Sequence, residues 1–554
     1  MAGTIRTPWL EHHAALGIEI PEFKDHPLGT YVEQHAKSRP DAPALYFVQR
    51  EISYREFNRY TNQLANALKG LGLGRGDVIG LHMPNIPQYI FALTAISKIG
   101  AIGSGISPLL APPELAFQIQ DANIKAVMTL SDLSGALTAM EAPDCLETVI
   151  VTGSADFLAP QPFALSEIKN IKTMTYLDLT DGQSDQFEQV RVDPHDTYMI
   201  QYTGGTTGRA KGAMLTHRNI VYNTAQTISV NPFTAGETIL LSAFPLFHIA
   251  GLSIAIASAR YGGMTILVPN PRDTDFICAQ LLKYPPTVMA AVPALYDMMV
   301  NNSTFKTIDF SKLDVALTGA APLTRSSYDA LSAIIGENKI ADIFGMTETG
   351  PCYTTNPPKR YKLGSVGMPL PNVLVRIRDV DTGKKDMPVG EPGEITCTGP
   401  QVMKGYLNLP EESAHALREI DGQKWMFSGD VGYMDEEGYI FLCDRAKDML
   451  IVGGYKVFSV EVEDKLSSLP EIAACAIIGS PDEARPGNDI VNLYVELTPE
   501  HKNADEAQIK ANIIAYCRDT MAAYKVPKQV HIIDAIPLTP VGKIDKKALR
   551  ATAP

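Results

Sequence analysis

The chain holds 554 residues, with 48 Lys and Arg against 62 Asp and Glu, a net charge of −14 at neutral pH. Apolar residues make up 45% and charged residues 20%, a globular composition that excludes a disordered chain. The acidic balance excludes a dedicated nucleic-acid binder, which needs a basic face. Anionic substrates must therefore be held by local lysines, backbone N–H groups or a metal ion, because the overall field repels them.

At roughly 150 residues per domain the length suggests about three or four folding units. The seven cysteines are scattered and form no C-x-x-C, a pattern that fits reduced thiols better than a disulfide framework or a structural zinc site. The opening MAGTIRTPWLEHHAALG holds no apolar signal region. The most apolar stretch, Tyr89 to Pro113, carries Lys98, glycines and prolines, and reads as a buried strand–helix segment rather than a membrane span. The expectation is a cytoplasmic protein with no transmembrane segment. Peripheral membrane contact and a dimer are both compatible with the sequence, which does not specify oligomeric state.

In chain order, residues 29–70 read as helices around the short strand ALYFV. LGLGRGD then closes a helix and leads into the strand VIGLHM. Its glycines, Gly70, Gly72, Gly74 and Gly76, do not spell G-x-G-x-x-G and precede a strand, so they mark a helix end rather than a dinucleotide site. Apolar strands then alternate with amphipathic helices: KAVMTL, ETVIVTG, TILLSAF, MTILVPN, TVMAAVP, DVALTGA and KIADIFG. That alternation predicts an α/β fold with layered subdomains and buried strands. From about Val366 short strands and turns predict a β-rich subdomain. After the charged segment Asp444 to Asp448 a small α+β domain follows: helix 460–469, strands AACAIIG and VNLYVEL, helix 505–522 and strand VHIID.

The strongest local signal is Tyr202-Thr203-Gly204-Gly205-Thr206-Thr207-Gly208-Arg209-Ala210-Lys211-Gly212. Its glycines let the backbone approach a ligand closely, and threonine hydroxyls, N–H groups and Lys211 offer donors suited to a polyphosphate. No G-x-x-x-x-G-K-[ST] can be threaded through it, so it is not a Walker A loop.

YTGGTTGRAKGAMLTH strongly resembles the nucleotide loop of the acyl-adenylate-forming superfamily, which includes acyl-CoA synthetases, luciferases and peptide-synthetase adenylation domains. The usual form has Ser at Gly205 and Pro at Ala210; the variants here look like the bacterial medium- and long-chain fatty acyl-CoA synthetases. The resemblance runs nearly the whole chain through FPLFHIAG, LTGAAPL, FGMTETG, KWMFSGDVG, DRAKDMLIVGGYKV and PVGKIDKKALR, in family order. It implies a 1–444 domain binding AMP and the acyl group, a hinge at 445–449 and a mobile 450–554 domain. The implied cofactors and substrates are ATP, Mg²⁺, coenzyme A and a small carboxylic acid.

By resemblance, Thr203 through Gly208 and Lys211 hold the phosphates, Thr347 contacts the α-phosphate region and Glu348, with Thr206, holds Mg²⁺. Phe344 stacks on adenine beside Gly345 and Met346, opposite a wall of Gly319, Ala320, Ala321 and Pro322. Asp430 grips the ribose with help from Arg445. Lys543 is the catalytic lysine, whereas Lys546 and Lys547 read as a solvated helix face. Lys447 matches the hinge, and Gly453, Gly454 and Tyr455 would line the pantetheine tunnel. Ile451 replaces a lysine of the luciferases, which weighs against a light-emitting oxygenase. The acyl site draws on His248, Leu252, Gly345 and Gly350, His248 as a pocket gate or packed histidine.

Acetate-specific relatives close that pocket with a tryptophan where this chain has Gly345; its only tryptophans are Trp9 and Trp425. Residues 244–256 contain no acid to pair with an amino group, and a buried unpaired ammonium is costly. The remaining wall is apolar, and each buried CH₂ gains about 0.8 kcal/mol, so a medium- or long-chain fatty acid is favoured. The alternatives are an aryl or alicyclic acid–CoA ligase and an acyl-AMP ligase loading a phosphopantetheine carrier. The expected acyl acceptor is free CoA, because no carrier-domain pattern is read after the Lys543 loop; an unrelated P-loop NTPase is opposed by the missing Walker pattern.

Overall fold

A computed structural model describes residues 6–22, 26–168, 170–203, 210–453, 455–483, 485–538 and 544–552. Two compact units are assembled from interleaved stretches of chain. One comprises Met1–Leu374 with Cys397–Met426, the other Val375–Thr396 with Phe427–Pro554.

The first unit is built on two large sheets, the layered α/β architecture that the alternating apolar runs predict. In the eight-stranded sheet the order is Gly405–Tyr406, Lys211–Thr216, Thr197–Thr203, Ile102–Gly105, Val78–His82, Ile124–Leu130, Thr148–Thr152 and Lys172–Thr175. Its strands from Thr197–Thr203 through Lys172–Thr175 pair in parallel, and Lys211–Thr216 turns back antiparallel on Thr197–Thr203. The nine-stranded sheet has a parallel centre of Ile340–Gly345, Val315–Gly319, Val288–Ala290, Ile239–Ser242, Met264–Leu267 and Pro43–Phe47. Largely buried on both faces, these strands are mainly apolar rather than strictly alternating.

Local chemistry explains the flanking helices. Tyr54–Gly70 starts in a capping box in which Ser53 and Glu56 exchange hydrogen bonds. Pro87–Ile99 starts at a proline, stops at Gly100 with φ 71°, and is buried at every position, so its apolar surround is that of an interior helix. Lys98, the one cation within it, donates to Asn58 Oδ1 at 2.6 Å and Asn62 Oδ1 at 2.5 Å; burial lowers its pKa to about 8. Asn85 ties the two sheets together, donating to the carbonyl of Phe244 at 3.0 Å and accepting from the N–H of Leu246 at 2.8 Å.

A five-stranded sheet, Leu374–Arg378, Gly393–Thr398, Gln423–Met434 and Leu417–Ile420 with Ile440–Arg445 on Gln423–Met434, is the β-rich region expected after Val366. The C-terminal part has helices Ser459–Leu466 and Glu506–Thr520 and a sheet of Ile472–Pro481, Asp489–Leu497 and Gln529–Ile533. Val462, Leu466, Ile477, Leu493, Ile513 and Cys517 share its core. Among the described residues no helix is long and apolar enough to cross a membrane.

Candidate functional site

In the first unit the strands Thr197–Thr203 and Lys211–Thr216, which flank the phosphate-loop sequence, pair antiparallel. Thr203 and Lys211 are register partners, and Thr203 Oγ1 donates to the carbonyl of Lys211 at 3.4 Å. The predicted contacts Gly204, Gly205, Thr206, Thr207 and Gly208 lie outside the described residues.

Beside this hairpin the short strand Gly405–Tyr406 pairs with Met214 and Ala213. That pairing carries the Tyr406 hydroxyl to Glu348, where it donates to Oε1 at 2.6 Å. Glu348 is buried, at 6% exposure, and its carbonyl accepts from the N–H of Met403 at 2.8 Å. Burial first, then the Glu348 carboxylate, push the Tyr406 phenol well above its usual pKa. Lys211 Nζ lies 5.3 Å from the centre of the Tyr406 ring and pairs with Glu412. Thr203 and Lys211 are thus paired across the two strands, and Tyr406 touches both Lys211 and Glu348. Tyr406 and Glu412 were not found by sequence reasoning, because their partners lie far away in the chain and no local pattern marks them.

Glu348 sits in the one-turn 3₁₀ helix Thr347–Thr349 that ends the strand Ile340–Gly345. Thr349 closes this turn, its hydroxyl accepting from the N–H of Met346 at 3.2 Å; Met346 N–H also donates to the carbonyl of Pro351 at 2.9 Å. Gly350 terminates the turn at φ 67°. At Gly345 a Cβ atom would lie 2.0 Å from the Pro351 carbonyl oxygen, so close backbone approach itself requires glycine there.

Phe344, half-buried, meets Tyr353 edge-on at 5.3 Å. On the neighbouring parallel strand Gly319 is paired with Ile343, so Ala320 to Pro322 leave the sheet beside Phe344. Ala320 has φ 67°, a left-handed backbone that costs an alanine about 1–2 kcal/mol and is typical of binding sites. Such crevices at the carboxyl ends of parallel strands are where α/β sheets take ligands. Asp342, two residues before Phe344 and so on the same strand face, was also missed. Burial raises its carboxyl to about 8, so at neutral pH it can donate as well as accept. An acid in the apolar run KIADIFG is the signal that could have found it.

His248 caps the helix Ile249–Tyr261, its Nδ1 accepting from the N–H of Ala250 at 3.3 Å. The helix is buried from Ile249 through Ala259, Leu252 included. Gly251 is pressed against the carbonyl of Pro245, 2.2 Å from where a Cβ would stand.

In the second unit Asp430 and Arg445 are register partners joined by an ion pair of 2.7 Å. Next to them Asp444 accepts from the N–H and hydroxyl of Ser459; burial raises its pKa to about 6 against the pull of Lys546. Lys447 is partly desolvated, which lowers its pKa. Gly453 has φ 61° and donates to Asn488 Oδ1 at 2.7 Å. Tyr455, 59% exposed, stacks on Tyr524 at 4.6 Å. Ile451, also exposed, donates its N–H to Asp489. Gly454 and Lys543 lie outside the described residues. One expectation is corrected: Lys546 is not a solvated lysine, for it pairs with Glu463 at 2.8 Å with both side chains 14% exposed.

Among the described residues no group of three or more His, Cys, Asp or Glu could hold a metal ion. Glu348 offers a single buried carboxylate, and a hard cation there needs ligand oxygens to complete its shell, as Mg²⁺ does with phosphates.

A doubly layered α/β body with a lysine and a buried carboxylate at the ends of its strands has the form of a nucleotide-binding enzyme. The sequence model of the AMP-binding enzyme family matches residues 32–407 and that of the AMP-binding enzyme C-terminal domain residues 461–543, and the chain belongs to this family. A long-chain-fatty-acid–CoA ligase of Escherichia coli O6:H1 is 32% identical over 564 aligned positions, covering 98% of each chain. The anthranilate CoA ligase AuaEII in complex with anthranoyl-AMP has a similar structure, with a TM-score of 0.82 at 26% identity over 96% of this chain and 99% of that one. ATP-bound MatB from Rhodopseudomonas palustris gives 0.81 at 28% identity over 95% and 99%.

Proposed function

We propose that the protein is an AMP-forming acyl-CoA synthetase. It joins a fatty acid to ATP, releasing pyrophosphate and forming an acyl-adenylate, then passes the acyl group to coenzyme A with release of AMP. The observation that carries this reading is the cluster at the loop hairpin, where Lys211 and a buried, hydrogen-bonded Glu348 stand by Thr203. Two anions must meet in the first half-reaction, so the site's work is to neutralise charge and hold the attack in line.

Thr203, Lys211 and the loop residues Gly204 to Gly208 hold the phosphates, and Thr347 orients the α-phosphate region. Glu348, with Thr206, would hold Mg²⁺, which supplies charge neutralisation at the phosphate oxygens. Phe344 and the Gly319–Pro322 wall take the adenine, with Gly345 and Met346 at its edge. Asp430, held by Arg445, takes the ribose hydroxyls, and Lys543 meets the charge developing on the α-phosphoryl group. Lys447, within 445–449, is the pivot between a 1–444 domain and a 450–554 domain, and Gly453, Gly454 and Tyr455 border the thiol's path.

The acid-free apolar helix Ile249–Tyr261, behind its cap His248, favours an alkyl tail. Leu252, Gly345 and Gly350 are assigned to the same pocket. The relative from Escherichia coli, named for long-chain fatty acids, supports that choice. The free cysteines fit a reducing cytoplasm. Incubation with ATP, Mg²⁺ and a panel of alkyl and aryl acids, with and without CoA, tests the proposal. AMP and acyl-CoA are expected, best with the longer alkyl acids; release of ADP would overturn it.

A further inference from the structure

We propose that Glu412 is a built-in counter-anion for Lys211, which ATP must displace, so that this carboxylate sets the enzyme's affinity for nucleotide. The inference rests on the reading above that Lys211 meets the phosphates.

Lys211 opens the return strand of the phosphate hairpin and is 24% exposed. Its Nζ is engaged by Glu412 Oε2 over the face of Tyr406. The hydrogen bond from Lys211, then its charge, hold the Glu412 carboxyl below the usual carboxylate range.

The contact is not a chance meeting of two long side chains, because the backbone sets it. Glu412 lies in the helix Pro410–Ala416, which directly follows the strand Gly405–Tyr406. That strand is laced to Lys211–Thr216 by the Gly405–Met214 and Tyr406–Ala213 register and by Leu407 N–H donating to the carbonyl of Gly212 at 2.8 Å. Ser413 fastens the helix to the strand, its Oγ accepting from the N–H of Tyr406 at 2.8 Å and donating to the carbonyl of Leu409 at 2.7 Å. One short segment therefore delivers both the Tyr406 hydroxyl to Glu348 and the Glu412 carboxylate to Lys211.

The consequence is electrostatic. With Glu412 in place, the charge of Lys211 is countered before any phosphate arrives. An entering polyphosphate must either part the pair or bear the repulsion of a neighbouring carboxylate. Glu412 is 48% exposed, so solvent screens the pair and the effect on affinity is modest, about two- to fivefold. Added salt weakens it further.

The test uses the full-length protein and Glu412→Gln, which keeps the shape and removes the charge. Calorimetry with Mg-ATP is expected to show a Kd lowered about two- to fivefold. ATP–pyrophosphate exchange with a fatty acid is expected to show an equally lowered KM for ATP at little-changed kcat. Raising the salt should shrink the gap from wild type, and Glu412→Ser, a second uncharged variant, should behave alike. In a Lys211→Gln background the Glu412→Gln change should have no effect. An unchanged or raised Kd, or a gain that survives without Lys211, overturns the counter-anion role. Wild type that forms no AMP with any acid overturns the functional reading instead, so the two failures are distinguishable.

Discussion

Tyr406 donates its hydroxyl hydrogen to Glu348 Oε1 at 2.6 Å, joining a strand beside the phosphate hairpin to the carboxylate of a turn in the other sheet. The two residues are 58 positions apart, and both are buried.

Removing that hydrogen bond while keeping the ring is the sharpest test of what it does. Hydrogen bonds to charged groups contribute about 1.5–3 kcal/mol. Tyr406→Phe is therefore expected to destabilise the fold by about 1.5–3 kcal/mol, to weaken acid-dependent AMP formation and to shift the Mg²⁺ requirement upward. A Mg²⁺ titration of the variant checks this, and an unaltered Mg²⁺ dependence would refute the link between Tyr406 and the cation site.

Gly345 separates two explanations of one residue. If it were only an open pocket floor, alanine there would trim the acyl preference and leave the fold alone. The Pro351 carbonyl, 2.0 Å from the added Cβ, predicts instead that Gly345→Ala destabilises by about 1–3 kcal/mol and lowers activity towards every acid. Thermal denaturation and an acid panel together decide between them.

Asp342 carries a pH signature. Its folded-state pKa of about 8 stands above the roughly 3.9 of an unfolded aspartate. Its contribution to stability is whole below that unfolded value and is lost as pH rises through about 8. Asp342→Asn should therefore flatten the decline in unfolding free energy, read from urea denaturation between pH 5 and pH 8.5, by on the order of a few kcal/mol. Parallel slopes for the variant and wild type would show that the carboxyl does not titrate this way.

Lys543 tests the division into two half-reactions. Lys543→Ala is expected to cut acyl-adenylate formation by at least about a hundredfold, the scale of losing a charged transition-state contact. Thioester formation from preformed acyl-adenylate should stay close to wild type. Equal loss of both steps contradicts the assignment, and separate assays of each half-reaction measure it.

Much of this protein could be read along the chain. KAVMTL, MTILVPN and DVALTGA became buried parallel strands because a strand covered on both faces is predominantly apolar rather than alternating. The stretch containing Lys98 became an interior helix, with Asn58 and Asn62 supplying the polar partners that a lone buried cation requires. Gly345 was legible as a glycine but not for its reason, since the Pro351 carbonyl reaches it only after the chain has turned. Lys546 looked solvated because the sequence does not show Glu463 folding against it.

Taken alone, the order of residues determined the alternation of strands and helices, the phosphate-loop motif and the kinship of the whole chain. These depend on local periodicity, turn chemistry and spacing, which neighbours in sequence carry between them. Tertiary structure alone decided that Tyr406 secures Glu348, that Glu412 occupies Lys211 and that Asp342 is stripped of water beside Phe344. Those are meetings between distant segments in a medium of low polarity, where distance and burial, not residue order, set the energy of each charge.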